Sequence, residues 1–84
     1  MMTLPIQAAI TVGEPNWTPL ELAVPACELA DFMYVGRAGE IELYKHQLTR
    51  RYLNIDRNSH QFYRYVDGKY VEITQAAALE HVRG

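Results

Sequence analysis

Glu42, His46 and Arg50 are the side chains whose types and spacing could do chemistry. Positions 42, 44 and 46 alternate along one extended segment, so Glu42 and His46 project from the same side, and a tight turn brings Arg50 back onto it. A carboxylate, an imidazole and a guanidinium on one face make an acid–base set. Such groups also coincide on ordinary sheet surfaces, and no pocket-forming loop is evident around them. The remaining reactive residues are scattered. His46, His60 and His81 share no metal-ligand spacing with one another or with Cys27, and no HExxH or CxxC occurs. His60 and His81 read as surface histidines, and Cys27 as a small buried apolar residue. There is no glycine-rich phosphate loop and no GxSxG. The chain is therefore expected to carry no catalytic residue, no metal ligand set and no cofactor, and not to be an enzyme.

The elements that must position these residues follow from period and turn chemistry. Residues 1–16 contain Pro5, Gly13, Pro15 and Asn16 and read as a flexible arm, although Ile6, Ala8, Ile10 and Val12 alternate and could add a strand to a sheet edge. Residues 17–84 read as a single α+β domain. Thr18-Pro19-Leu20-Glu21 has the form of a capping box with proline at the first helical position. Pro25 ends that helix and starts a second turn through Cys27 and Leu29 to about Asp31. Five strands follow, at 32–36, 40–46, 50–56, 61–66 and 69–73, as an antiparallel meander. Arg37-Ala38-Gly39 and Gln47-Leu48-Thr49 read as three-residue loops, the second without the expected glycine. Asp67-Gly68 is a type I′ hairpin turn. Thr74 caps a C-terminal helix over 75–82, whose Ala76, Ala78, Leu79 and Val82 form an apolar stripe.

Those loop lengths place Phe32 opposite Tyr44, Tyr44 opposite Tyr52, and Tyr65 opposite Tyr70; the turn over Arg57–His60 has no length fixed by its residues, and with Tyr52 opposite Tyr65 one row crosses all five strands. One face then collects all six tyrosines, Tyr34, Tyr44, Tyr52, Tyr63, Tyr65 and Tyr70, with Phe32, His46 and Arg50. The other collects the aliphatic residues, with Ile41, Leu43, Leu53, Ile55, Phe62, Val71 and Ile73 as core under Leu79. Tyrosine offers large apolar area with a hydrogen-bonding tip and is enriched at interfaces. A face of this kind implies self-association as a dimer or higher oligomer, or an unidentified protein partner. It reads alternatively as a small-ligand or single-stranded nucleic-acid surface, or as a second packed layer under Trp17 and the arm. Arg64 falls on the aliphatic side, where it must pair, for example with Glu80, snorkel to the rim, or mark a cleft.

Composition bounds these readings. Eighty-four residues leave room for one small core, marginal alone, which gives association a direct stabilising role. The single cysteine excludes an intrachain disulfide and suits a reducing, cytoplasmic setting. The longest uncharged stretch, before Glu14, is too polar for a signal peptide or a membrane span. The net charge of −2 argues against a general nucleic-acid binder. Residues 1–31 carry four acids and no Lys or Arg, while residues 32–84 carry eight Lys and Arg against six acids, so the two parts attract.

The run Leu43-Tyr44-Lys45-His46, then Thr49-Arg50-Arg51-Tyr52-Leu53-Asn54-Ile55-Asp56, then Phe62-Tyr63-Arg64-Tyr65 and Ala78-Leu79-Glu80-His81-Val82, resembles a class of small uncharacterised bacterial proteins, of the kind also found in mobile gene cassettes. The resemblance covers roughly residues 30–84. It implies a compact bacterial domain and assigns no activity.

Overall fold

In the computed structural model, which describes residues 10–84, the five expected strands form in chain order and a sixth joins them. The strands are β1 (Ile10–Thr11), β2 (Phe32–Ala38), β3 (Ile41–His46), β4 (Tyr52–Asp56), β5 (Phe62–Val66) and β6 (Lys69–Ile73). Every neighbour pair is antiparallel and the sheet order follows the sequence. The helical segments are α1 (Thr18–Ala23), a 3-10 helix (Ala26–Asp31) and α2 (Gln75–Arg83). The fold is α+β. The alternating arm does contribute an edge strand, with Ile10 opposite Ala38, while Ile6 and Ala8 lie outside the described residues.

Local chemistry accounts for the ends of the helices. Pro19 sits in the first turn of α1, and the chain leaves the helix at Val24, before Pro25. The expected capping box does not form: Trp17 is the N-cap, and Asn16 Oδ1 accepts the Thr18 N–H at 3.2 Å instead. Thr74 does cap α2, accepting the Ala77 N–H at 3.1 Å. At the other end of α2, Thr49 Oγ1 donates to the Val82 carbonyl at 2.7 Å and Arg51 Nη1 to the His81 carbonyl at 3.0 Å, pairing two of the helix's orphan acceptors. Arg83 pairs with Glu28 at 3.0 Å, the one ion pair among the described residues that joins the acidic first third of the chain to the rest.

Hairpin lengths decide which side chains reach the helices. Asp67 and Gly68 have φ of 51° and 82° and close the expected two-residue turn, with Tyr65 opposite Tyr70. The first hairpin also closes in two residues, Gly39 and Glu40, since Ala38 pairs with Ile41; the extra residue sits inside β2 as a bulge between Tyr34 and Gly36. Phe32 therefore faces His46, and Tyr34 faces Tyr44, a shift of two that keeps these rings on one side.

The loop between β3 and β4 is closed by His46 and Arg51 around four residues, 47–50, where three are expected. His46 N–H bonds the Arg51 carbonyl and Arg50 N–H bonds the His46 carbonyl, with Arg50 at φ 65° in the left-handed region. The next connection repeats this plan ten residues on. Asp56 N–H bonds the Gln61 carbonyl, His60 N–H bonds the Asp56 carbonyl, and His60 has φ 64°. In both loops the leading side chain accepts two N–H groups. His46 Nδ1 takes those of Leu48 and Thr49, and Asp56 Oδ1 takes those of Asn58 and Ser59.

One extra residue in the first loop moves the pairing by one, so Tyr44 faces Leu53, and Tyr52 faces Lys45 rather than Tyr44. A slip of one exchanges faces. Strands β4 to β6 keep their expected mutual register, with Ile55 opposite Phe62 and Phe62 opposite Ile73. Strands β2 and β3 are inverted relative to them. The helix side thus gathers Phe32, Tyr44, Leu53, Ile55 and Phe62 under Leu20, Val24, Ala78 and Val82. Ile41, Leu43 and Val71, expected in this core, are not part of its cluster; Val71 is 41% exposed toward the tip of the last hairpin. Cys27 is exposed, because its 3-10 helix buries none of its residues fully.

Two outcomes test this packing. Ile55→Ala should cost about 2–5 kcal/mol in chemical denaturation, whereas Val71→Ala should change stability by about 0.5 kcal/mol or less. Arg50→Gly should add about 0.5–1 kcal/mol, read as a Tm a few degrees higher, because glycine relieves the left-handed backbone without loss of a core contact.

Candidate ligand site

The acid–base trio does not assemble. Glu42 is completely buried beneath the N-terminal segment and is held by three donors. Tyr34 Oη donates at 2.6 Å, Arg37 Nε at 2.9 Å and Asn16 Nδ2 at 3.2 Å. A desolvated carboxylate needs such partners. Asn16 also takes the Tyr44 hydroxyl on its backbone carbonyl, and Trp17 packs on both Tyr34 and Tyr44, with ring centroids 6.0 and 5.8 Å away. His46 is buried edge-on against Phe32 at 5.1 Å, its Nδ1 committed to the loop. Arg50 stands exposed in that loop. These residues are structural: Glu42 and Asn16 bind the incoming chain to β2 and β3.

The expected tyrosine face is therefore divided. Phe32, Tyr34, Tyr44 and His46 lie on the helix side, Phe32 and Tyr44 in the core and Tyr34 half-buried. Tyr52, Tyr63, Tyr65 and Tyr70 lie on the other face, together with the aliphatic residues of β2 and β3. The single-face row across five strands does not exist, and Tyr44 is unavailable to a second copy. Nor does Arg64 form an ion pair with Glu80 or with any carboxylate among the described residues.

What the inversion creates is a cavity. The ladder between β4 and β5 consists of two pairs, Asn54 with Tyr63 and Ile55 with Phe62. Continued, it would pair Leu53 with Arg64 and Tyr52 with Tyr65. Instead the strands part there, and a cavity of about 390 Å³ opens at the fork. Its apolar floor includes Val35 and Leu43. Tyr52 stands on one side of the fork and Tyr65 and Tyr70 on the other; the latter two rings are 5.0 Å apart. Arg51, Arg64 and the α2 residue His81 complete the wall. The lining runs from Ile10 of β1 to Tyr70 of β6, and Arg51, Arg64 and His81 enter it from the helix side of the sheet.

Asn54 sits at the fork itself. It is 3% exposed, its Nδ2 donates to the Tyr63 carbonyl at 3.2 Å, and its Oδ1 is buried without a hydrogen-bond partner. An unpaired buried acceptor costs about 1–3 kcal/mol, so a structure keeps few of them.

The electrostatics of the cavity are cationic. Two guanidiniums and no carboxylate occur among its described lining residues. Burial, and then the charges of Arg64 and Arg51, hold the His81 imidazole below its usual range. Burial, reinforced by the Tyr65 and Tyr52 phenols, raises Tyr70 above 10.0, so it is a neutral donor at physiological pH. Lys45 adds a further positive charge 5.8 Å above the Tyr52 ring. Of the side chains singled out in the sequence for contact, Tyr52, Tyr65 and Tyr70 line this site. Asn54 belongs to no motif, His81 reads in the sequence as a surface histidine, and Arg64 as a charge out of place. Among the described residues, no three His, Cys, Asp or Glu side chains group as a metal site, and no helix is long and apolar enough to cross a membrane.

The Tyr34–Glu42 bond has a pH signature. Burial first, then the hydrogen bond to Glu42 and its charge, push the Tyr34 phenol from 10.0 up to about 12. Its folded pKa is raised, so its stabilising contribution is complete below pH 10.0 and is lost as pH rises toward about 12. Stability measured by denaturation across that interval should fall more steeply for the wild type than for Tyr34→Phe, which has no phenol to ionise.

Comparison with protein-family models, with curated proteins and with solved structures finds no match to this chain, so its functional reading rests on the geometry of the fork.

Proposed function

We propose that the chain is a small non-catalytic binding module whose ligand is a small organic anion held in the cavity at the β4–β5 fork. One observation carries this reading: a cavity of about 390 Å³ whose described lining holds Tyr52, Tyr65, Tyr70 and two guanidiniums and no carboxylate. The volume falls in the range of small-molecule sites, about 300–1,000 Å³, and an apolar lining with a few convergent polar groups is their usual character. Phenol rings supply flat walls, and guanidiniums supply charge and paired donors.

The described lining supports binding better than turnover. Arginine cannot exchange protons near neutrality, and the raised Tyr70 phenol stays protonated. His81 is the one lining group poised to titrate, with no thiol, carboxylate or lysine beside it in the described wall. Self-association through a continuous tyrosine row loses its premise, since two rings of that row, Phe32 and Tyr44, pack inside the monomer.

Anilinonaphthalene sulfonate carries rings, an N–H and an anion, and serves as a general probe. Its fluorescence should rise saturably with one site per chain. Arg64→Glu should weaken it several-fold, and Leu22→Ser, on the exposed side of α1, should leave it unchanged. A response absent at millimolar protein, or one indifferent to Arg64→Glu, would remove the reading.

A further inference from the structure

We infer that the outer edge of β6 docks a second copy of this chain, which continues the sheet antiparallel across a two-fold axis at Val71. The inference is independent of the fork. Among the described residues the sheet ends at β6. The two-residue turn at Asp67 and Gly68 makes Val66 and Lys69 the closing hydrogen-bonded pair. Such pairs alternate, so Arg64 with Val71 and Phe62 with Ile73 are hydrogen-bonded too. The bond from Asp56 N–H to the Gln61 carbonyl agrees, since it turns residues 61 and 63 of the next ladder toward β4. Lys69, Val71 and Ile73 therefore direct their N–H and C=O groups at β5, while those of Tyr70 and Glu72 point outward.

Proteins commonly blunt such an edge with a proline, a bulge, extreme shortness or a covering helix. β6 pairs with β5 over all five residues without a bulge and contains no proline. Helix α2 turns away from it, back over Leu53, Ile55 and Phe62. Beside the edge, Val66 and Val71 are left 40% and 41% exposed.

The sequence of β6 selects its own copy as the occupant. Opposed residues of antiparallel strands share a face, so a two-fold axis normal to the sheet must pass through a residue. An axis at Glu72 sets two carboxylates directly against each other, which is unfavourable. An axis at Tyr70 pairs only residues 69–71 of the strand. An axis at Val71 pairs all five: Val71 meets Val71, Lys69 meets Ile73, and Tyr70 meets Glu72. Each Tyr70 then exchanges two main-chain hydrogen bonds with Glu72 of the second copy, four in all. Each end of the new ladder carries one ammonium and one carboxylate, so Lys69 and Glu72 complement their own copies. A contact of one short strand lies below the roughly 1,200 Å² of stable interfaces, so the dimer is weak and forms at high concentration.

The test is light scattering together with amide hydrogen exchange by NMR on the full chain, from about 10 μM to about 1 mM. The mass should rise toward that of a dimer. Exchange at Tyr70 and Glu72 should slow with concentration, while Val71, bonded to β5 throughout, should not change. Glu72→Pro removes one outward donor and leaves the ladder to β5 intact, because proline is tolerated on the open side of an edge strand. It should stay monomeric. Val71→Lys, which sets two ammoniums together at the axis beside two Arg64 guanidiniums, should do the same. Should either variant fail to fold, the alternation of protection in the wild type decides. A wild-type chain that stays monomeric at about 1 mM would overturn the inference. So would association that leaves exchange at Tyr70 and Glu72 unchanged, or that persists in folded Glu72→Pro or Val71→Lys.

Discussion

In an antiparallel hairpin the number of loop residues fixes which side of the sheet each following residue faces, and between β3 and β4 that number is four. The helix side, the opposite face and the fork all inherit their composition from it. With four residues, Tyr44 joins Leu53 and Ile55 under the helices, and Leu43 joins Tyr52 and Asn54 on the far side. The loop keeps this length through groups that are locally specified. His46 Nδ1 accepts two loop N–H groups, Thr49 ties the loop to the end of α2, and Arg50 takes the left-handed backbone that closes it.

A second constraint acts from the N-terminal side. Glu42 bears a charge where no water reaches, so its donors must be in place together: Tyr34, Arg37 and Asn16. Asn16 lies before α1, and its bonds to Glu42 and Tyr44 hold the start of that helix against β3. Trp17 then covers two rings that would otherwise face solvent. The tyrosine-rich character of the chain thus serves two unlike purposes. Two tyrosines complete a core, and Tyr52, Tyr65 and Tyr70 wall a cavity.

Much of the fold is legible in the residues. The fifth strand agrees with Lys69–Ile73, the Asp67-Gly68 turn sets its pairing, and Thr74 caps α2. These signals are local, and local chemistry suffices to read them. The register of β3 on β4 is not of that kind. Its left-handed residue is Arg50, a residue type with no preference for that backbone, and its first acceptor is a histidine where Asp56 does the same work in the sister loop. A three-residue loop yields an orderly pattern too, with every tyrosine on one side, and no residue type in the loop rules it out. The lining of the fork was invisible for a related reason. Asn54, Arg51 and His81 acquire their roles only where a ladder stops, and no residue type announces that a ladder will stop.

The clamp at the end of α2 bears on how the molecule comes to be folded. Thr49 reaches Val82 across 33 residues and Glu28 reaches Arg83 across 55, so the helix that covers Leu53, Ile55 and Phe62 follows every strand in the chain. During synthesis α1 precedes strands β2 to β6, but the α2 part of their cover follows all of them. A meander could pair strand by strand as it emerges, with Leu20 and Val24 covering part of its apolar side, but the part that Ala78 and Val82 pack on would stay bare until α2 arrives. Contacts of such long separation form late and slow the search, which lengthens the interval in which that surface meets other chains. The last dozen residues therefore govern the yield of folded protein more than their share of the core implies.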